Sequence, residues 1–284
     1  MVDVCIIGGG PAGMFGAYYA ASRGMCVTLV EGHDVLGGRL HYFLDLPIYD
    51  VPAQFGITAR AYIEQLQHQL EKSSAHVLRN SVVTHIDALN DGYRIDAGEH
   101  VIDAKTVIQA TGNGFLRPRQ LHESYTYMLL EPLPRQQRVA VIGTTPTAAD
   151  WALRLAAQND VKLFTDKPLT LQPMLNEPLA NILTEALQHA DATHVNGSAF
   201  DVIYCHIGSD VQTVKRPFRT LAREQRGYFT AGDVHKADGK LKLIHGATHD
   251  AMQAVNKAYQ YMYKGGTYQP VVSTHHPIFK EWDL

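Results

Sequence analysis

The chain has 284 residues, 45% of them hydrophobic and 19% charged, with a formal net charge of -3. That length predicts about two domains with real cores, and the balance is that of an ordinary globular protein. The charge offers no basic field for nucleic acid or an anionic membrane surface, no apolar run approaches a membrane span, and the first strand begins within three residues of Met1, so no membrane segment and no signal peptide are expected and a cytoplasmic location is the default.

Val4-Cys5-Ile6-Ile7 reads as an apolar strand that runs into Gly8-Gly9-Gly10-Pro11-Ala12-Gly13, and a helix opens with Met14-Phe15-Gly16-Ala17-Tyr18-Tyr19-Ala20. A second strand, Cys26-Val27-Thr28-Leu29-Val30, ends on Glu31. Strand, G-x-G-x-x-G, helix, strand and acid in this order predict a dinucleotide-binding βαβ unit. Gly8 permits the tight turn, Gly10 lets the backbone approach a pyrophosphate, and Gly13 lets helix and strand pack closely. The helix N-terminus that follows presents unpaired N–H groups and a positive dipole end to phosphate. Glu31 is suited to accept hydrogen bonds from a ribose diol.

Ala59 to Leu70 predicts an amphipathic helix with Tyr62, Leu66 and Leu70 on one face. Val82 to Ile86 and Tyr93 to Ile95 predict a small β-meander around the turn at Asn90-Asp91-Gly92. Val107 to Gly112 is a strand with a small-residue turn, Ala110-Thr111-Gly112. Arg138 to Ile142 reads as a strand entering a turn at Gly143. A helix containing Ala148 to Leu153 and a strand at Val161 to Phe164 follow. Tyr228 to Val234 is a short β-run that closes on Gly232-Asp233, and an amphipathic helix follows from about Thr248 to Met262.

There are three cysteines and no C-x-x-C. Cys5, Cys26 and Cys205 all fall in strand-like apolar runs and read as small buried hydrophobes. The 15 histidines are scattered apart from His245/His249 and His275-His276, and Gly246 argues against a preformed helical metal site, so no metal is expected. No Ser-His-Asp arrangement, zinc motif or carboxylate dyad can be argued from spacing.

With these motifs in order, the chain resembles the thioredoxin-reductase-fold flavoproteins, and most of all the ferredoxin–NADP reductases built on that fold. The likeness is carried by Gly8 to Gly13, Leu36-Gly37-Gly38-Arg39-Leu40, Ile48-Tyr49-Asp50-Val51, Ala110 to Gly114, Asp150-Trp151-Ala152-Leu153, Ala231-Gly232-Asp233, Gly239 to Ile244, Ala254 to Ala258 and Gln269 to Thr274. It implies an α/β fold with two dinucleotide-binding domains: a discontinuous FAD domain, 1–114 and 225–284, and an inserted, shortened NAD(P)H-binding-like domain, 115–224. The FAD contacts implied are Gly8, Gly10, Pro11, Ala12, Gly13, Glu31, Gly38, Arg39, Leu40, Ala110, Thr111, Gly112, Gly232, Asp233, Thr248 and Ala251. Asp233 would meet the ribitol, and the last helix would aim its positive end at the flavin edge where negative charge develops on reduction. Tyr42, Phe43 or Tyr49 would stack on one face of the ring, and His275 or His276 of the C-terminal extension on the other. The resemblance also implies a homodimer and a ferredoxin or flavodoxin partner.

The inserted domain departs from the family. Where the relatives read G-G-G-D-S-A, this chain has Gly143-Thr144-Thr145-Pro146-Thr147-Ala148, so a β-branched side chain stands where backbone should touch phosphate. Where they have H-R-R for the 2′-phosphate of NADP, it has Thr165-Asp166-Lys167; Asp166 would repel that phosphate and suits the 2′-hydroxyl of NADH. Two readings stay open: a site shifted to NADH, with Thr144, Thr145 and Thr147 donating to phosphate, or a vestigial site; ordinary NADPH binding is the less favoured. The missing cysteine pair excludes thioredoxin-type disulfide reduction. The expected activity is a flavin oxidoreductase of the ferredoxin/flavodoxin type, with an FAD-binding redox sensor or partner-binding protein as the alternative. A flavin monooxygenase is a weaker third, since its fingerprint between the domains is missing.

Overall fold

In a computed structural model, which describes residues 1–112, 115–129, 132–165, 187–189, 197–212 and 226–263, the N-terminal apolar run is the central strand β1 (Val2–Ile7) of a seven-stranded sheet. The chain packs as two units, Met1–Phe115 together with the chain from Thr213 on, and Leu116–Gln212.

In the first unit, β1 leads through the glycine loop into α1 (Pro11–Ser22), with Pro11 at a position whose missing N–H costs nothing, and then into β2 (Val27–Val30). A 3-10 turn, Gly38–Phe43, and a two-stranded pair, β3 (Pro47–Ile48) and β4 (Ile57–Thr58), lead to α2 (Ala59–Glu71). Thr58 caps α2 by accepting from the Ala61 N–H at 3.2 Å, and Ala59, Ile63, Leu66 and Leu70 form its buried stripe. Next come β5 (His76–Leu78), β6 (Val83–Leu89), β7 (Gly92–Ala97) and β8 (His100–Gln109). The unit closes with β15 (Tyr228–Thr230) and α4 (Ile244–Met262).

The sheet order is β5-β2-β1-β8-β7-β6, with β15 also on β8. β8 is long enough to fork. Residues 100–104 pair antiparallel with β7, while Val107 to Gln109 pair in parallel with β15. Along its other edge, Ala104 to Gln109 run parallel to β1. The parallel part therefore reads β5-β2-β1-β8-β15, and strand order reverses between β1 and β8. Open α/β sheets place their ligand crevice at that reversal, beyond the C-terminal strand ends; here those ends are Gly8 and Ala110. Small residues let α1 and α4 approach closely: Gly16, Ala17 and Ala20 on one helix meet Ala251, Ala254 and Ala258 on the other.

The second unit repeats the theme with β10 (Arg138–Ile142), α3 (Pro146–Ala156), β11 (Asp160–Thr165), β12 (Leu187–His189) and β13 (Val202–Cys205) in a parallel sheet of order β12-β11-β10-β13. β9 (Phe115–Pro118) and β14 (Ser209–Gln212) pair separately. Trp151, Leu155, Leu163 and Val141 centre this core.

Several expectations need correction. The last helix begins at Ile244, four residues before Thr248, with Gly246 inside it. The run at Tyr228 leaves the sheet after Thr230, and Gly232–Val234 is a 3-10 turn. Cys26 precedes β2 and is exposed; its N–H is held by Asp3 Oδ2 at 2.8 Å.

Candidate dinucleotide site

The glycine loop in the first unit is held from several sides. A Cβ on Gly13 would lie 1.7 Å from the Gly8 carbonyl oxygen, and one on Gly8 (φ +108°) would lie 2.6 Å from the Ala110 oxygen, so both are glycine for the fold's own sake. At Gly9 a Cβ would lie 2.5 Å from Leu36 Cδ2 and 3.0 Å from Glu31 Oε2, so those side chains would have to shift to admit one. Gly10 is different. Its backbone, φ -74° and ψ -176°, suits any residue, and a Cβ would meet nothing nearer than Gly38 Cα at 3.9 Å. The protein itself makes no demand for glycine there, whereas a group seated against the loop would. Gly10 is also the N-cap of α1, and no side chain caps the helix and no acid stands in its first turn. The N-terminus is left open to an anion.

Residues far apart in sequence close around this loop. Glu31, 8% exposed, accepts the Gly9 N–H on Oε2 at 2.5 Å and the His33 N–H on Oε1 at 2.9 Å, which fixes its carboxylate beside the loop with lone pairs to spare. Gly232 packs on Ala12, 3.2 Å from its Cβ position to the Ala12 Cβ. Arg39 Nη1 lies 3.8 Å from Asp233 Oδ2, the arginine more than half exposed. Leu40 is buried in a small core with Leu44, Ile48, Val51 and Ile63, against which Phe43 packs partly buried. The Ala110 N–H donates to Ile7 O at 2.8 Å, and Thr111 Oγ1 accepts from Gln109 Nε2 at 3.1 Å. Gln109 is in turn held by the Tyr228 hydroxyl at 3.0 Å. Gly112 follows in the left-handed region, φ +58°.

Ala251 is buried against Gly16 of α1, and the Thr248 hydroxyl donates to His245 O at 2.9 Å. Tyr49 is 60% exposed and packs on Phe55, ring centroids 5.2 Å apart. The side chain of Tyr42, and Asp166, His275 and His276 altogether, lie outside the described residues. His245 and His249 are four apart on α4, and His249 Nε2 meets Gln253 Nε2 at 2.6 Å; among the described residues no group of three or more His, Cys, Asp or Glu is placed to hold a metal.

In the second unit the equivalent crevice lies beyond β10 and β13, at Gly143 and His206. Gly143 (φ +145°) is required by the fold, its Cβ position 2.2 Å from the His206 oxygen. Thr145 is the N-cap of α3, and its backbone, φ -80° and ψ 152°, repeats that of Gly10, again followed by proline. Its hydroxyl accepts the Ala148 N–H at 3.1 Å, donates to His206 O at 2.9 Å and lies 2.7 Å from His206 Nδ1. Burial holds the His206 imidazole below its ordinary range, hence neutral near pH 7, and its ring stands edge-on to Trp151. With Nδ1–H donating to Thr145, the hydroxyl uses its one donor and two acceptor positions. Nothing is left over for a phosphate. Thr144 is half-buried in the same turn. The sequence draws attention to Thr145; Gly9 and His206 become visible only when the strand ends converge.

No thiol chemistry is poised here. Burial pushes the Cys5 thiol up to about 12 and the Cys205 thiol up to about 11, and both stay protonated.

The family model described as pyridine nucleotide-disulphide oxidoreductase matches residues 2–206. Ferredoxin–NADP reductase 1 of Bacillus cereus is 28% identical over 336 residues, and that of Bacillus mycoides 27% identical over 335, each match covering 99% of this chain and 95% of the relative. The thioredoxin reductase of Lactococcus lactis shares the fold with a TM-score of 0.66, at 23% identity, over 92% of this chain and 99% of that one. The chain belongs to the pyridine nucleotide-disulphide oxidoreductase family and is a flavin oxidoreductase with the two-domain α/β fold of the thioredoxin-reductase-like flavoproteins.

Proposed function

We propose that the chain is an FAD-dependent oxidoreductase that exchanges electrons with a small redox protein of the ferredoxin or flavodoxin kind, with the nicotinamide site of its second unit out of use. The contrast between the two N-caps carries this reading: Gly10 leaves α1 open, and Thr145 closes α3 with its own hydroxyl. In this reading the α1 N-terminus and Gly10 take the pyrophosphate, Glu31 the adenosine ribose, Arg39 and Asp233 the ribitol end, and the N-terminal turns of α4 face the ring edge. FAD, when bound, would supply redox chemistry that can pass electrons singly as well as in pairs, which suits one-electron partners. The ferredoxin–NADP reductases among the relatives support that partner class; a homodimer is carried over from the sequence resemblance alone.

An FAD-binding sensor without turnover uses the same first site, and one experiment separates the two. Purified protein, yellow from FAD, is mixed anaerobically with reduced flavodoxin and, separately, reduced ferredoxin. Bleaching within seconds by either supports the electron-transfer reading. A flavin that yields only to dithionite favours the sensor, and a colourless protein that cannot be reconstituted with FAD removes both.

A further inference from the structure

Lys240 and Asp250 form a partly buried ion pair beside the glycine turn that precedes α4. Their side chains are 13% and 15% exposed. Lys240 precedes α4, and Asp250 lies in its second turn. The Lys240 ammonium donates to Asp250 Oδ2, to Gly232 O at 2.5 Å and to His235 O at 3.2 Å. The same Asp250 oxygen accepts the Gly232 N–H at 3.2 Å. The pair thus grips a single residue from both sides, holding the peptide group before Gly232 and the one after it.

Gly232 is where that grip matters. It is buried, with φ +73°, and its Cβ position lies 3.2 Å from Ala12 in the first turn of α1 and 3.8 Å from Ala247 in the first turn of α4. The next residue is Asp233, with Arg39 beside it. A buried ion pair is seldom a net stabiliser, because desolvation offsets its attraction. This one is satisfied by hydrogen bonds spent on one turn between two helix starts.

We propose that Lys240 and Asp250 are positioning residues for FAD, fixing the Asp233 carboxylate and the spacing of the α1 and α4 N-termini, and balancing the charge at the flavin end of the site. The inference rests on the FAD reading above. α4 has no acid in its first turn, so a neutralised Asp250 leaves the helix's positive end uncompensated. Loss of the lysine charge would set a bare carboxylate beside Gly232, and loss of the aspartate charge a bare ammonium. Reduction adds negative charge to the ring, so the two changes act on the midpoint potential with opposite sign.

FAD dissociation constants, from flavin fluorescence on reconstituted protein, and midpoint potentials test this on wild type, Lys240→Met, Asp250→Asn and Lys240→Arg. The expected result is FAD binding weaker by about 10- to 100-fold in Lys240→Met and Asp250→Asn, the scale lost when outer partners of a metal ligand are removed. The potential should fall in Lys240→Met and rise in Asp250→Asn, and Lys240→Arg should keep most of the affinity. Unchanged affinity, or potentials that stay put or move the same way, overturns the proposal. If a single variant does not accumulate as folded protein, Lys240→Met with Asp250→Leu removes both charges and keeps apolar volume; wild-type FAD affinity in it also overturns the proposal. A wild type that cannot bind FAD overturns this inference together with the reading beneath it, whereas a yellow wild type with equally yellow variants overturns this inference alone.

Discussion

Gly10→Thr is expected to leave the chain folded and to strip it of FAD. The Gly10 backbone already lies in the extended region of an N-cap residue, as that of Thr145 does, and the Cβ meets only an ordinary contact at 3.9 Å. A threonine hydroxyl there can accept an N–H of the first turn of α1, so apo-protein stability should change by no more than about 0.5 kcal/mol, if anything upward. The same side chain stands in the approach of a pyrophosphate. FAD affinity should fall by about 100-fold or more, equivalent to about 2.7 kcal/mol. Gly13→Ala is the opposite case. Its Cβ falls 1.7 Å from a backbone oxygen, so the loop must move and several kcal/mol of stability are lost, about 3 or more. Thermal unfolding of both apo-proteins, with flavin titration of whatever folds, separates a glycine kept for the ligand from one kept for the fold. A Gly10→Thr protein that binds FAD like wild type would refute the assignment of Gly10.

Thr145→Gly should do the reverse in the second unit and open a nucleotide site. The change removes a hydroxyl bonded to Ala148 N, His206 O and His206 Nδ1. Stability should fall by about 1 kcal/mol or less, since glycine is itself a tolerated N-cap. The freed Ala148 N–H of α3 then faces an anion with no competing side chain. NADH affinity, read by calorimetry or nicotinamide fluorescence, should improve at least about tenfold, or about 1.4 kcal/mol. NADH should be favoured over NADPH, because Asp166 in the sequence following β11 suits a 2′-hydroxyl and repels a 2′-phosphate. Equal, weak binding by wild type and variant would show that Thr145 is not the barrier.

Local periodicity makes much of this molecule legible in its sequence. β1, the glycine loop, α1 and β2 form a contiguous βαβ unit, and α2, the β6–β7 turn, β10 and α3 are likewise set by residues close in sequence. The fork in β8 is not legible, because β7 and β15 reach the same edge from positions more than 130 residues apart. The start of α4 is misread for a definable reason. Its N-cap, Leu243, offers no capping side chain, and Gly246 in the first turn looks like a break, so Thr248 seems the better boundary. Cys26 looks like strand interior because apolar residues follow it, yet it sits exposed just before the ladder begins at Val27. The site divides along the same line. The glycines and Glu31 announce themselves by spacing. The saturation of Thr145 depends on His206, 61 residues away, and the grip on Gly232 on two charges that no motif singles out.

In the function proposed above, electrons do not enter this flavoprotein from a nicotinamide held by its second unit. Anaerobic stopped-flow absorbance near 450 nm tests it most directly, with purified wild-type protein mixed separately with NADPH and NADH at about millimolar concentration, the upper range of ordinary KM values. The flavin band should stay unbleached over seconds with both. Rapid bleaching by either would contradict it and would return the second unit to service as a hydride-donor site.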